Sequence, residues 1–235
     1  MGVTWIIKKK VLSWIIMATI GLVFGRVFEL SAQTKPIVVK RPIQWDADRE
    51  RLSLEYLLKR HGIRADTALI EPRIVVVHYT ENMSVNATFK TFNPVFLPGR
   101  RDLQTASSLN VSAQFIIGRD GRIYQLLEEN QFARHTIGLN YCAIGIENIG
   151  TPRNPLTEKQ LQANTKLIKY LREKYAIEYV IGHHEYQAFK KTLWWKETNP
   201  TYMTSKRDPG DKFMHALRKE LGLPATLKIA PLPSQ

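Results

Sequence analysis

The stretch "RIVVVHYT" (73–80) constrains the fold most. Its two faces are both apolar: Ile74 and Val76 lie on one side, Val75 and Val77 on the other. A strand with one wet face alternates apolar with polar residues, whereas a strand covered on both faces reads as an unbroken β-branched run. This run therefore predicts a central strand in a sheet with packed layers on both sides. "YVIGH" (179–183) is a second short apolar strand, and "QFIIGRDGRIYQLL" (114–127) sets two β-type runs about "RDGR", a hairpin signal. "YCAIGIENIG" (141–150) alternates, with Ile144 and Ile146 on one side and Ala143, Gly145 and Glu147 on the other.

Helical signals separate these strands. In "LTEKQLQANTKLIKYLREKYAI" (156–177), Thr157 and Gln160 form a capping box, and Leu161, Leu167, Ile168, Leu171 and Tyr175 make an apolar stripe. "DKFMHALRKELG" (211–222) carries Phe213, Met214, Leu217 and Leu221 and stops at Gly222. "SLEYLLKRHG" (53–62) predicts a short helix capped by Ser53 and ended by Gly62. Strands alternating with helices predict an α/β fold, a mixed central β-sheet flanked by α-helices. "TKPIVVKRPIQW" (34–45) reads as an extended linker, 81–110 as irregular, and the proline-bearing tail 224–235 as loose.

The 235-residue chain carries 34 Lys+Arg against 21 Asp+Glu, a formal net charge of +13. Such a balance favours an anionic partner. Zinc-finger spacing, an RNA-binding signature and a basic helical block are all missing from the sequence, so nucleic acid is not the expected partner. The single cysteine, Cys142, rules out an intrachain disulfide and a Cys-rich metal site; a small buried packing residue is its expected role. At the N-terminus, Lys8–Lys10 precede "VLSWIIMATIGLVFG" (11–25), which carries no charge. This pattern is that of a cleaved secretory signal or a retained membrane anchor within residues 1–33, and it predicts export to the periplasm, the cell envelope or the medium.

Three residues can converge on one sheet edge: His78 and His183, each at the end of an apolar strand, and Asp208 in "KRDPG", where Pro209 and Gly210 force a turn. Zinc accepts nitrogen and oxygen ligands of this kind. Separations of 105 and 25 residues form no local motif, and "HHEYQ" is not the H-E-x-x-H helix, so the residues alone leave metal ligation and satisfied core histidines both open. His184 is expected to point away from His183 along an extended chain. His61 and His215 read as structural or exposed helix residues.

The ordered blocks "IVVVHYT", "VSAQFIIGRDGRIYQL", "NYCAIGIENIG", "IGHHEY" and "SKRDPG" resemble the zinc-dependent N-acetylmuramoyl-L-alanine amidases of the type-2 amidase family, which includes the peptidoglycan recognition proteins. The likeness spans about 72–222 and implies one catalytic domain at 72–223, preceded by a linker and short helix at 34–71. It implies Zn²⁺ held by His78, His183 and Asp208, with Glu147 as the catalytic acid–base and Lys206 steadying the transition state. His135 in "RHTIG" matches a histidine at the rim of the groove, a substrate contact. The implied partner is peptidoglycan or a muropeptide, and the implied state is a monomer, attached to a membrane if the leader is retained.

Two departures accompany the resemblance. Gln114 stands where many members have histidine, and the segment between His183 and Asp208 is longer than in compact members. Trp194 and Trp195 in that segment are expected to pack it down rather than to stack on a sugar. The rival implied by the resemblance is a non-catalytic binding module of the same fold. Known recognition-only members lack the full ligand set, whereas His78, His183 and Asp208 are all present here.

Overall fold

The computed structural model of the protein describes residues 35–99 and 106–229; the expected leader lies outside the described residues. Six strands form one mixed sheet in the order β1-β4-β3-β5-β2-β6. They are β1 (Val38–Lys40), β2 (Ile74–Tyr79), β3 (Phe115–Ile117), β4 (Ile123–Gln125), β5 (Ala143–Asn148) and β6 (Tyr179–Gly182). β2, the all-apolar run, lies between β5 and β6 and is parallel to both. β3 and β4 form the expected antiparallel hairpin, and β3 runs parallel to β5.

Each side chain of β2 from Ile74 to Val77 is fully buried, as an unbroken apolar run requires. Val75 and Val77 join Ile144 and Ile146 under two helices, α3 (Glu158–Lys174) and α4 (Asp211–Glu220). Leu167, Ile168 and Leu171 of α3 and Met214 and Leu217 of α4 complete this layer. The capping box of α3 is made as the sequence predicts: the Thr157 hydroxyl accepts from the Gln160 N–H and the Gln160 side chain accepts from the Thr157 N–H. On the opposite face Ile74, Val76, Ala143 and Ile181 pack with Tyr186 and Phe189 of a 3₁₀ helix, His183–Lys191. Full burial of one such aliphatic side chain contributes about 1.5–3 kcal/mol.

Four regions differ from the sequence reading. α1 (Ala47–His61) begins at Asp46, whose carboxylate accepts from the Arg49 N–H, and not at Ser53. Ser53 sits mid-helix and donates to the Arg49 carbonyl, while Gly62 ends the helix at φ 65° as expected. The expected linker supplies β1, which pairs in parallel with β4; an edge position suits a strand flanked by Pro36 and Pro42. The irregular span 81–110 contains α2 (Val85–Phe92), capped by Ser84. In the tail, Leu227 and Ile229 pack against the second apolar layer rather than hanging free. Among the described residues no helix is long and apolar enough to cross a membrane.

Candidate metal centre and substrate groove

The site lies at the carboxyl ends of three adjacent parallel strands, where α/β sheets place ligands. In register, His78 of β2 stands beside Glu147 of β5, and Val77 stands beside Gly182 of β6. His183 follows Gly182 directly, so His78, Glu147 and His183 reach one edge from three neighbouring strands. Asp208 arrives from the chain after the 3₁₀ helix, just before the Pro209–Gly210 turn that starts α4, with Gly210 at φ 90°.

His78 Nδ1 lies 2.9 Å from His183 Nδ1. Asp208 Oδ2 lies 3.1 Å from His183 Nδ1 and 3.3 Å from His78 Nδ1. A tetrahedral centre with bonds of about 2.0–2.1 Å holds its ligand atoms about 3.3 Å apart, so this triangle is close to the one zinc requires. The charges fit as well. Burial lowers the pKa of His78 to about 4 and lowers that of His183, so both rings are neutral at pH 7. Burial alone would raise Asp208, but its close contacts with His183 and His78 outweigh it and keep the carboxylate ionised. The three residues are 2%, 6% and 9% exposed. A buried anion faced by two neutral imidazoles is a site for a cation. Within the described residues, His78, His183 and Asp208 form the one such cluster of potential metal ligands.

Glu147 is not the surface carboxylate that a half-exposed strand would give. Its Oε2 is buried without a protein partner, and its pKa is raised to about 8, chiefly by burial and then by the negative charge of Asp208. Lys206 acts in the opposite direction, favouring the carboxylate. Glu147, Lys206 and the ligand triad all line one groove of about 730 Å³.

The profile of the N-acetylmuramoyl-L-alanine amidases matches residues 68–211. The chain belongs to this family. Two solved structures resemble it in fold: the endolysin N-acetylmuramoyl-L-alanine amidase LysCS from Clostridium intestinale URNW, 18% identical, covers 82% of this chain and 99% of its own with a TM-score of 0.51. The amidase LysC from the same organism, 18% identical, covers 80% of this chain and 99% of its own with a TM-score of 0.50. No curated protein sequence matches the chain.

In this amidase the remaining residues singled out from the sequence find definite places. His135 lines the groove, but its ring is not a rim contact alone: Nδ1 lies 3.1 Å from His78 Nε2. His184 begins the 3₁₀ helix rather than extending the strand. Its N–H donates to the Asp208 carbonyl, and its ring bridges that carbonyl and the Asp211 carboxylate. Gln114 is fully buried; its amide donates to the Gln131 carbonyl and its oxygen accepts from the Gly145 N–H, so it braces strands instead of meeting substrate. Trp194 and Trp195 pack on the second apolar layer and are not among the groove residues. The long segment is stitched to the end of α1, where the Arg60 guanidinium pairs with Glu197 at 2.8 Å and Thr198 N–H donates to the Arg60 carbonyl. Cys142 is buried, its thiol pushed up to about 12 by burial, which suits a packing role. His61 is buried at the end of α1 and His215 is exposed on α4. The sequence reading missed Tyr79, Glu81, Asn82, Arg134 and Arg207 as groove residues. Tyr79 ends β2, Glu81 and Asn82 follow it, Arg134 precedes His135 and Arg207 lies between Lys206 and Asp208, so adjacency to the singled-out residues was the available signal.

Proposed function

We propose that this amidase is a zinc hydrolase that cuts the amide between the lactyl group of N-acetylmuramic acid and L-alanine of the stem peptide. The observation that carries the reading is the complete triad of His78, His183 and Asp208 with Glu147 beside it in strand register. It favours hydrolysis over recognition alone, because a binding groove has no need of a carboxylate with a buried, unpartnered oxygen next to a ligand triad.

A zinc ion held by the triad would supply Lewis-acid polarisation of the scissile carbonyl and lower the pKa of water to about 7. Glu147 takes the proton of the attacking water and returns it to the departing alanine nitrogen. Lys206 favours its carboxylate form, and a cation held at the triad would favour it further. Lys206, on the same groove wall, faces the oxyanion that forms on the attacked carbonyl; losing such a donor typically costs about 10²–10³ in rate.

The test is end-group analysis of digested peptidoglycan. New alanine amino termini without new reducing sugar ends, suppressed by a zinc chelator, are expected. New reducing ends would reject the bond assignment, and no new ends of either kind would favour a binding module.

The reading includes export. Lys8–Lys10 and the uncharged stretch after them support a leader or anchor that places the basic domain, acting as a monomer, against an anionic wall. A reporter active only outside the cytoplasm, fused after Gln235, should work with residues 1–33 and fail without them.

A further inference from the structure

We infer that His135 is a positioning residue: it accepts a hydrogen bond from the Nε2–H of His78 and so sets the tautomer in which the His78 Nδ1 lone pair faces His183 and Asp208. The inference rests on the zinc reading above and adds to it a residue outside the ligand set.

The ring protons follow from one backbone contact. His135 Nε2 lies 3.2 Å from the Ala143 carbonyl oxygen, which can only accept, so Nε2 carries the hydrogen. In a neutral imidazole Nδ1 is then the acceptor. Its neighbours are the Thr136 hydroxyl at 2.9 Å and His78 Nε2 at 3.1 Å, both able to donate. With the hydrogen of His78 on Nε2, Nδ1 is bare, and Nδ1 is the atom that faces the other two ligands. The opposite tautomer would put a hydrogen into the ligand triangle and two lone pairs face to face between the rings.

The surroundings hold His135 for this contact. The buried Asn140 side-chain oxygen accepts from the backbone N–H groups of both His135 and Thr136, at 2.9 and 2.7 Å. The His135 ring stands nearly perpendicular to His78, at 87°, with centroids 5.1 Å apart. Gly145 opens the space: a Cβ there would come within 2.9 Å of the His135 ring. The glycine of "IGIEN" is thus needed for room. It lies two residues before Glu147, so the strand that carries the carboxylate also seats the ring.

The experiment compares zinc affinity of the full chain by chelator competition for wild type, His135→Leu and His135→Gln, with ring-nitrogen NMR of the zinc-loaded wild type. The leucine variant should bind zinc about 10–100-fold more weakly, as when a partner behind a ligand histidine is removed. Glutamine, whose side chain can accept from His78 and donate to Ala143, should recover most of the loss. The spectrum should show His78 protonated at Nε2 and liganded through Nδ1. A folded leucine variant with wild-type affinity, or a His78 liganded through Nε2, overturns the inference while leaving zinc binding intact. If the leucine variant does not fold, the wild-type spectrum and the glutamine variant decide. A wild-type chain without zinc affinity overturns the zinc reading and this inference with it.

Discussion

At the scale of single residues, Glu147 carries the sharpest consequences, because burial and charge oppose each other on one carboxyl. Glu147→Gln keeps the shape but cannot accept a proton. It should hold zinc like wild type and lose about 10²–10⁴ in kcat, measured on a muropeptide. In the zinc-free protein the same substitution has a signature in stability. The folded pKa is raised from 4.5 to about 8, so the stability due to this group is fully present below 4.5 and is lost as pH rises through 8. Thermal melts of the zinc-free proteins should therefore show wild type falling behind Glu147→Gln across that window. The gap should be constant below it and constant again above it. Asp208→Ala removes the one ligand that is an anion, and it should abolish tight zinc binding in a chelator competition. His184→Ala leaves all three ligands in place, so its zinc content should stay near wild type.

At the scale of elements, β5 shows how one strand serves both core and site. Ile144 and Ile146 belong to the layer under α3 and α4, while Gly145 and Glu147 face the groove side. Gly145→Ala keeps the alternation but pushes a methyl against the His135 ring. It should cost about 1–3 kcal/mol in urea unfolding of the zinc-free protein and also weaken zinc binding. Leu171→Ala, on the far side of the same sheet, should cost about 2–5 kcal/mol with zinc affinity unchanged. The alternation of β5 and the capping box of α3 were legible because both are local patterns. α2 was not. Its eight residues are rich in β-branched and aromatic side chains, and three carbonyls at and just after its end, from Phe92, Asn93 and Pro94, are satisfied by the guanidinium of Arg49. That partner sits more than forty residues away, beyond the reach of any window read along the chain.

At the scale of the whole molecule, metal binding and folding are linked. The triad joins β2, the end of β6 and the turn before α4, so an ion bound only by the folded state stabilises all three together. Free zinc at one hundred times its dissociation constant should add about 2.7 kcal/mol, and a chelator should lower Tm correspondingly in a calorimetric melt. Asp208→Ala should melt at the same temperature with and without zinc.

From the sequence alone came the double-sided strand β2, the hairpin, α3 and α4, and, through ordered blocks of residues, the family and its candidate ligands. These are short-range patterns of polarity and capping, set by the periodicity of a strand or a helix. Contacts between distant segments were left to the folded chain. Parallel pairing of β2 with β5 and β6 put His78, Glu147 and His183 side by side across intervals that no periodicity spans. Packing set the ring of the groove-lining His135 against the Nε2 side of His78, and it left Oε2 of the partly exposed Glu147 buried without a protein partner. Residue types are written locally, but burial, tautomer and pKa are properties of surroundings, and only the tertiary structure brings those surroundings together.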